Sequence, residues 1–178
     1  MDSNKKRIVI IIFISALLNL TACSYSFNGA SIPPHIKNIA VPLIPDKSGS
    51  GEFDLGNNLT TLLTQQFIDD NSLRVSNGKN PDSILEGSII SLNDAPAVIS
   101  GGQATAATVV ATRRITISVH IVYKDLVKKQ TILETNFTNY SDYNSSGVSD
   151  ITTGRKTAIS KALGLISEDI VLGVVSNW

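Results

Sequence analysis

The sequence predicts an α+β fold, a two-layer sandwich in which two helices pack on one face of a mixed four-stranded sheet. Two observations predict the layers. Apolar residues recur at helical spacing near each end of the folded region, and β-branched residues with a period of two fill the segments between them. The length of 178 residues suits one domain with a single core.

The domain begins with a strand and a helix. Residues 36–44 are rich in β-branched residues and are closed by Pro42 and Pro45, which indicates a first strand. Residues 52 to about 70 then change to helical spacing, with one apolar face that we assign to the core. That face comprises Leu55, Leu59, Leu62, Leu63 and Phe67.

Extended segments fill the middle of the chain. Residues 73–75 form a short extended piece, and residues 82–92 predict a strand in which Gly87 marks a bulge. Residues 114–124 alternate most regularly, as expected of a half-buried antiparallel strand. A turn at residues 125–128 leads into a returning strand over residues 131–140.

The last element is a helix that starts after Ser149-Asp150, which can cap it. Its glycines weaken it, so we expect its stability to come mainly from packing. The predicted apolar face comprises Ala158, Ile159, Ala162, Leu163, Ile166, Ile170 and Val174.

The amino terminus has the order of a secretory signal. Lys5, Lys6 and Arg7 precede an apolar run over residues 8–18, which is too short for a bilayer-spanning helix of about 20 residues. The segment Leu20-Thr21-Ala22-Cys23 resembles a bacterial lipobox, and an uncleaved anchor is the weaker interpretation. We therefore expect a cleaved signal over 1–22, an acylated tether over 23–34 and one domain over 35–178.

Cys23 is the only cysteine, so it has no partner for an internal disulfide. The lipobox resemblance implies that it carries a diacylglycerol and an N-acyl chain; several chains anchor a protein firmly where one does not. No other cofactor is expected. Ser24 in place of aspartate implies, by resemblance to sorted lipoproteins, a lipid-anchored location on the periplasmic face of the outer membrane.

Composition and motifs argue against several function classes. Without the signal the chain holds 12 basic and 14 acidic residues, which gives no reason to expect nucleic acid. His35 and His120 lack the neighbours of a metal site, and no G-x-S-x-G motif is present. Gly101-Gly102 is not followed by the lysine of a phosphate-binding loop. The sequence therefore predicts a protein that is not an enzyme.

Two segments are candidate partner contacts. Residues 93–112 contain Gly101 and Gly102 within a run of small uncharged residues, which suits either a partner-facing hairpin or a mobile solvent loop. Residues 140–147 are interpreted as a second loop, where Tyr140 and Tyr143 either anchor a protein contact or pack on the sheet edge.

Five basic residues are candidate contacts for lipid phosphates. They cluster at the start of the regular strand and around the following turn, although charges at strand ends also serve as solvated guards of a sheet edge. They are Arg113, Arg114, Lys124, Lys128 and Lys129.

These features together resemble the lipopolysaccharide-assembly lipoprotein family, LptE. The resemblance rests on Cys23 to Phe27, on Ser31 to Pro42, on the helix from Leu55 to Phe67, and on the later strands and helix. It implies a domain that sits as a plug inside the LptD outer-membrane β-barrel, assists its assembly and helps deliver lipopolysaccharide to the cell surface. Under this resemblance Gly101, Gly102, Tyr140 and Tyr143 become candidate barrel contacts, and the five basic residues become candidate contacts for lipopolysaccharide phosphates.

Two other classes remain open. The Ile39 to Pro42 strand, followed by the Leu55 to Thr60 helix start, also resembles envelope lipoproteins of the secretion-channel or peptidoglycan-synthase-activator type. A hydrolase is the third class, and it would require acid, base or nucleophile groups that converge in a pocket.

Overall fold

A computed structural model describes residues 32–76, 78, 80–97, 112–145 and 151–176. Five strands and two helices lie in these ranges. In chain order they are β1 (Asn38–Ala40), α1 (Leu55–Asp70), β2 (Arg74–Val75), β3 (Ser83–Pro96), β4 (Thr112–Asp125), β5 (Gln130–Asn144) and α2 (Ile151–Ser176).

The strands form one mixed sheet in the order β2-β1-β3-β4-β5. β1 runs parallel to both β2 and β3, whereas β3, β4 and β5 form an antiparallel meander. The prediction of four strands therefore misses one strand, because Arg74 and Val75 pair with Asn38 and Ile39 as a fifth.

Strand β4 confirms the predicted alternation and carries the centre of the core. Its inward-facing side chains are fully buried, while the residues between them are only half-buried. The buried set comprises Ile115, Ile117, Val119, Ile121 and Tyr123. A period of two over eleven residues therefore places one apolar row on a single face of the sheet.

Both helices cover that inner face, which confirms the two-layer α+β sandwich. α2 packs against β4, β5 and α1, and α1 in turn contacts β2 and β3. Every residue of the predicted apolar face of α2 is buried, and Leu62 is the one member of the α1 face that is only half-buried.

Several element boundaries differ from the prediction. β1 spans only Asn38–Ala40, and β3 continues to Pro96, so residues 93–96 lie in a strand and not in the predicted loop. α1 begins at Leu55 and not at residue 52, because Asp54 has a left-handed φ of 62° and Glu52 instead pairs with Arg155 of α2. β5 continues to Asn144, so Tyr140 and Tyr143 lie in a strand and not in a loop. Pairing of β5 with the start of β4 extends the sheet to this point.

The predicted bulge at Gly87 is wrong. The register between β3 and β4 shifts between Ile89 and Ser91, whereas Gly87 pairs regularly with Ile121. Gly87 serves a close approach, since a Cβ there would lie 2.5 Å from the carbonyl oxygen of His120. Only glycine fits here, because the neighbouring backbone occupies the space that a side chain would need.

The sheet has two distinct ends. At one end, which we call the turn end, β1 and β3 begin and residues 126–129 connect β4 to β5. At the opposite end β3 stops at Pro96, β4 starts at Thr112, and α2 begins after β5. α2 runs back towards the turn end, because Gly154 lies beside Tyr143 and Gly173 lies beside Phe137.

Candidate interaction surface

The outer face of the β3-β4-β5 meander, which we call the open face, lies opposite the helices. Its side chains are half-buried or exposed, with the exception of Ser88, and most of them are polar. The central row on β4 consists of Arg114, Thr116, Ser118, His120, Val122 and Lys124, opposed on β5 by Asp142, Tyr140, Thr138, Asn136 and Glu134.

Cross-strand hydrogen bonds hold the middle of this face. Ser118 and Thr138 are joined through their hydroxyl oxygens at 2.8 Å, and His120 Nδ1 lies 2.8 Å from the amide oxygen of Asn136, which accepts. His120 is therefore a strand residue on the polar face of the sheet. Pairs of this kind stabilise a sheet and fix the side chains that it presents.

Arg114, Asp142 and Tyr140 form a charged and aromatic group at one end of the open face. The Arg114 guanidinium donates to both carboxylate oxygens of Asp142, at 2.7 and 2.9 Å, and stacks 3.8 Å from the centre of the Tyr140 ring. The hydrogen bond from Arg114 lowers the pKa of Asp142. The Tyr140 ring is 50% exposed, so it is available to a partner.

Arg113 points the opposite way from Arg114. Its Nε donates to Asp94 at 2.7 Å, and Asp94 also accepts hydrogen bonds from the Tyr143 hydroxyl at 2.8 Å and from Arg155 Nε at 2.9 Å. Arg155 pairs in addition with Glu52. This inner cluster ties the sheet to α2 and to the segment before α1.

Electrostatics in the inner cluster favour its ionised form. Burial alone would raise the pKa of Asp94, but hydrogen bonds from Arg113, Tyr143 and Arg155 together hold it below its usual value. Burial and the neighbouring Asp94 raise the pKa of the Tyr143 phenol. Because these charges are paired, the cluster is built to hold elements together and has no group poised for proton transfer.

No pattern in the sequence predicts this cluster. Arg155 lies 61 residues after Asp94, and no sequence motif links the two positions. The alternation of β4 could have placed Arg113 and Arg114 on opposite faces of the sheet. Arg113 is two residues before the inward-facing Ile115 and therefore lies on the same face.

The remaining basic candidates lie towards the turn end. Lys124 pairs with Glu86 on the open face at 2.5 Å. Lys128 and Lys129 are exposed in the turn, and neither forms an ion pair within the part of the chain that the structure describes.

His35 and Asp125 lock the turn end. His35 Nε2 lies 2.7 Å from Oδ2 of Asp125, whose side chain is fully buried. The other carboxylate oxygen accepts hydrogen bonds from the backbone of Val127 and Lys128, each at 2.9 Å. Burial would raise the pKa of Asp125, but these backbone and His35 hydrogen bonds lower it.

Of the candidate barrel contacts, Tyr140 is exposed whereas the Tyr143 side chain is buried in the inner cluster. Gly101, Gly102 and Cys23 lie outside the described residues. Among the described residues, no group of three His, Cys, Asp or Glu side chains could hold a metal ion. Neither of the two described helices is long and apolar enough to cross a membrane.

Comparison with solved structures shows the same fold in other proteins. Rare lipoprotein B from Shewanella oneidensis aligns with a TM-score of 0.52 at 13% identity, covering 79% of this chain and 96% of that one. A Xanthomonas campestris protein of the DUF330 family aligns with a TM-score of 0.54 at 13% identity, covering 82% and 90%. At these identities the likeness shows the fold alone.

Comparison of the sequence gives the family. No curated protein sequence matches this chain. The family model described as "LptE: Lipopolysaccharide-assembly" matches residues 36–172, from before β1 to near the end of α2. The chain therefore belongs to the lipopolysaccharide-assembly family LptE.

Proposed function

We propose that this chain is a non-enzymatic, lipid-anchored subunit of an outer-membrane translocon, in which it plugs an LptD-like β-barrel and assists lipopolysaccharide assembly at the cell surface. Membership of the family supports this role. Acylation of Cys23 would hold the domain on the periplasmic face of the outer membrane, and residues 23–34 would be its tether.

The open face is the observation that carries the plug role. A barrel lumen is lined by polar side chains, so a plug needs a polar surface whose groups are already positioned. On the open face, the hydroxyl and amide pairs and the Arg114–Asp142 ion pair hold their side chains in place across two strands. Tyr140 adds an exposed aromatic anchor beside them.

The basic residues differ in the ion pair that each would have to break before it could bind a lipopolysaccharide phosphate. Arg114 is partly exposed and could exchange Asp142 for a phosphate, because guanidinium binds both groups in the same bidentate geometry. Lys124 would have to leave Glu86, and Arg113 would have to leave the inner cluster. The open face therefore favours Arg114 as the first phosphate contact to test.

Affinity isolation of the acylated protein from detergent-solubilised outer membranes tests the translocon role. We expect one large β-barrel protein to copurify in a fixed ratio and to be identified by mass. Recovery of self-assembled rings, or of a peptidoglycan synthase in place of a barrel, would select the other envelope-lipoprotein class.

A further inference from the structure

The connection between β4 and β5, which we call the tip (residues 126–129), exposes an unusual combination of side chains. Leu126 is 40% exposed and Val127 is 57% exposed, although both are large apolar residues. Lys128 and Lys129 follow directly and are also exposed. Apolar side chains beside lysines are typical of segments that lie in a phospholipid headgroup layer.

The tip is held in one conformation. The buried Asp125 carboxylate accepts the backbone N–H groups of Val127 and Lys128, and the Leu126 N–H donates to the carbonyl oxygen of Asp82 at 2.9 Å. Lys129 completes the turn with a left-handed φ of 54°. The apolar pair is therefore presented by a fixed turn, and the fold holds it away from the core.

The chain also enters the domain at this end. His35 binds Asp125, which directly precedes the tip, so the segment arriving from Cys23 is fastened beside it. His35 lies twelve positions after Cys23, so the chain between them can span at most about 40 Å. An anchor at Cys23 thus keeps the turn end close to the bilayer.

Charge at the turn end is compatible with phospholipid phosphates. Lys37 and Arg74 add basic side chains there, at the starts of β1 and β2. The Asp82 carboxylate is engaged by the backbone N–H groups of Lys37 and Asn38, and Asp125 is buried. Asp69 and Asp70, at the end of α1, are exposed carboxylates that oppose this charge.

We propose that the tip is a second membrane contact, in which Leu126 and Val127 enter the headgroup layer and Lys128 and Lys129 bind glycerophospholipid phosphates. This inference rests on the proposed anchor at Cys23. The contact would set the turn end at the periplasmic surface of the bilayer, so that the opposite end of the sheet points into the barrel lumen of the proposed function.

An environment-sensitive fluorophore tests the contact in the full-length acylated protein. Because acylation consumes the single native thiol, Val127→Cys provides one labelling site at the tip. Phe53→Cys is the matched control, since Phe53 is an 88% exposed apolar residue that precedes α1 at the opposite end. Both proteins are reconstituted in vesicles of phosphatidylethanolamine and phosphatidylglycerol at three to one, with lipid-borne quenchers.

We expect the probe at position 127 to gain several-fold in emission and to be quenched from the lipid, while the probe at position 53 stays in water. Adding Lys128→Gln and Lys129→Gln should reduce quenching at position 127 by at least half. The proposal is overturned if both probes behave alike, if the lysine changes have no effect, or if position 127 becomes shielded only when a protein partner is added.

Mass analysis of the same protein separates the two proposals. A chain that lacks acyl groups on Cys23 would contradict the anchor itself. An acylated chain whose position 127 remains in water would leave the anchor intact and overturn the tip contact alone.

Discussion

At the scale of single residues, Gly87 lies where the sheet leaves no room for a side chain. A Cβ there would lie 2.5 Å from the His120 carbonyl oxygen and 2.6 Å from Ile121 Cδ1. Gly87→Ala should therefore lower the free energy of unfolding by about 1 to 3 kcal/mol, as measured by urea denaturation.

Gly164→Ala is the matched control for that change. Gly164 lies within α2 and an added Cβ would meet no atom within 4 Å, so we expect stabilisation of up to about 1 kcal/mol. A neutral Gly87→Ala would contradict the close approach between β3 and β4.

Acid should destabilise the fold through particular carboxylates. Asp94, Asp125 and Asp142 all have pKa values below the ordinary value of 3.8. Each therefore contributes stability that is fully present above about pH 4 and is lost as the pH falls through its lower folded-state pKa. Urea unfolding between pH 7 and pH 2.5 should show this loss below pH 4.

Asp125→Asn isolates one of these contributions. The variant should be less stable at pH 7, because its neutral amide is a weaker acceptor for the two tip N–H groups, and its stability should fall less below pH 4. An acid dependence identical to that of the wild type would contradict the assigned role of Asp125.

At the scale of elements, Arg155 joins the start of α2 to the sheet. Its Nε donates to Asp94 and its Nη1 pairs with Glu52, while the arginine side chain is about three-quarters buried. Arg155→Met should cost about 2 kcal/mol, since two partly buried carboxylates lose a charged partner.

Hydrogen exchange locates that effect. Amides in the first turns of α2 should exchange faster in Arg155→Met, whereas amides around the buried Leu163 and Ile166 should change little. Lys156→Met is the control, because Lys156 is exposed and forms no ion pair among the described residues. Uniform acceleration along α2 would contradict a local role.

How well each element could be predicted depended on how strong its periodicity was. β4 and α2 carry long, regular apolar patterns, and the structure confirms both. β2 has only two residues, so its pairing with β1 has no pattern to reveal it. The inner cluster was unpredictable in the same way, since it joins residues from five distant segments through polar contacts alone.

At the scale of the whole molecule, one face of the sheet is used for folding and the other is left polar. The helices bury the inner face, and the open face holds paired side chains that satisfy one another without a covering layer. The sequence predicted the two layers, because alternation specifies one apolar face. It could not identify which polar side chains pair, because that depends on the strand register.

Photo-crosslinking from the open face tests the central proposal most directly. A photoreactive phenylalanine analogue at Thr138, which is exposed in the middle of β5, should crosslink in the outer membrane to one large β-barrel protein, with no product in the sample kept dark. Crosslinks only to further copies of this chain or to a periplasmic synthase, or no crosslink at all, would contradict the account.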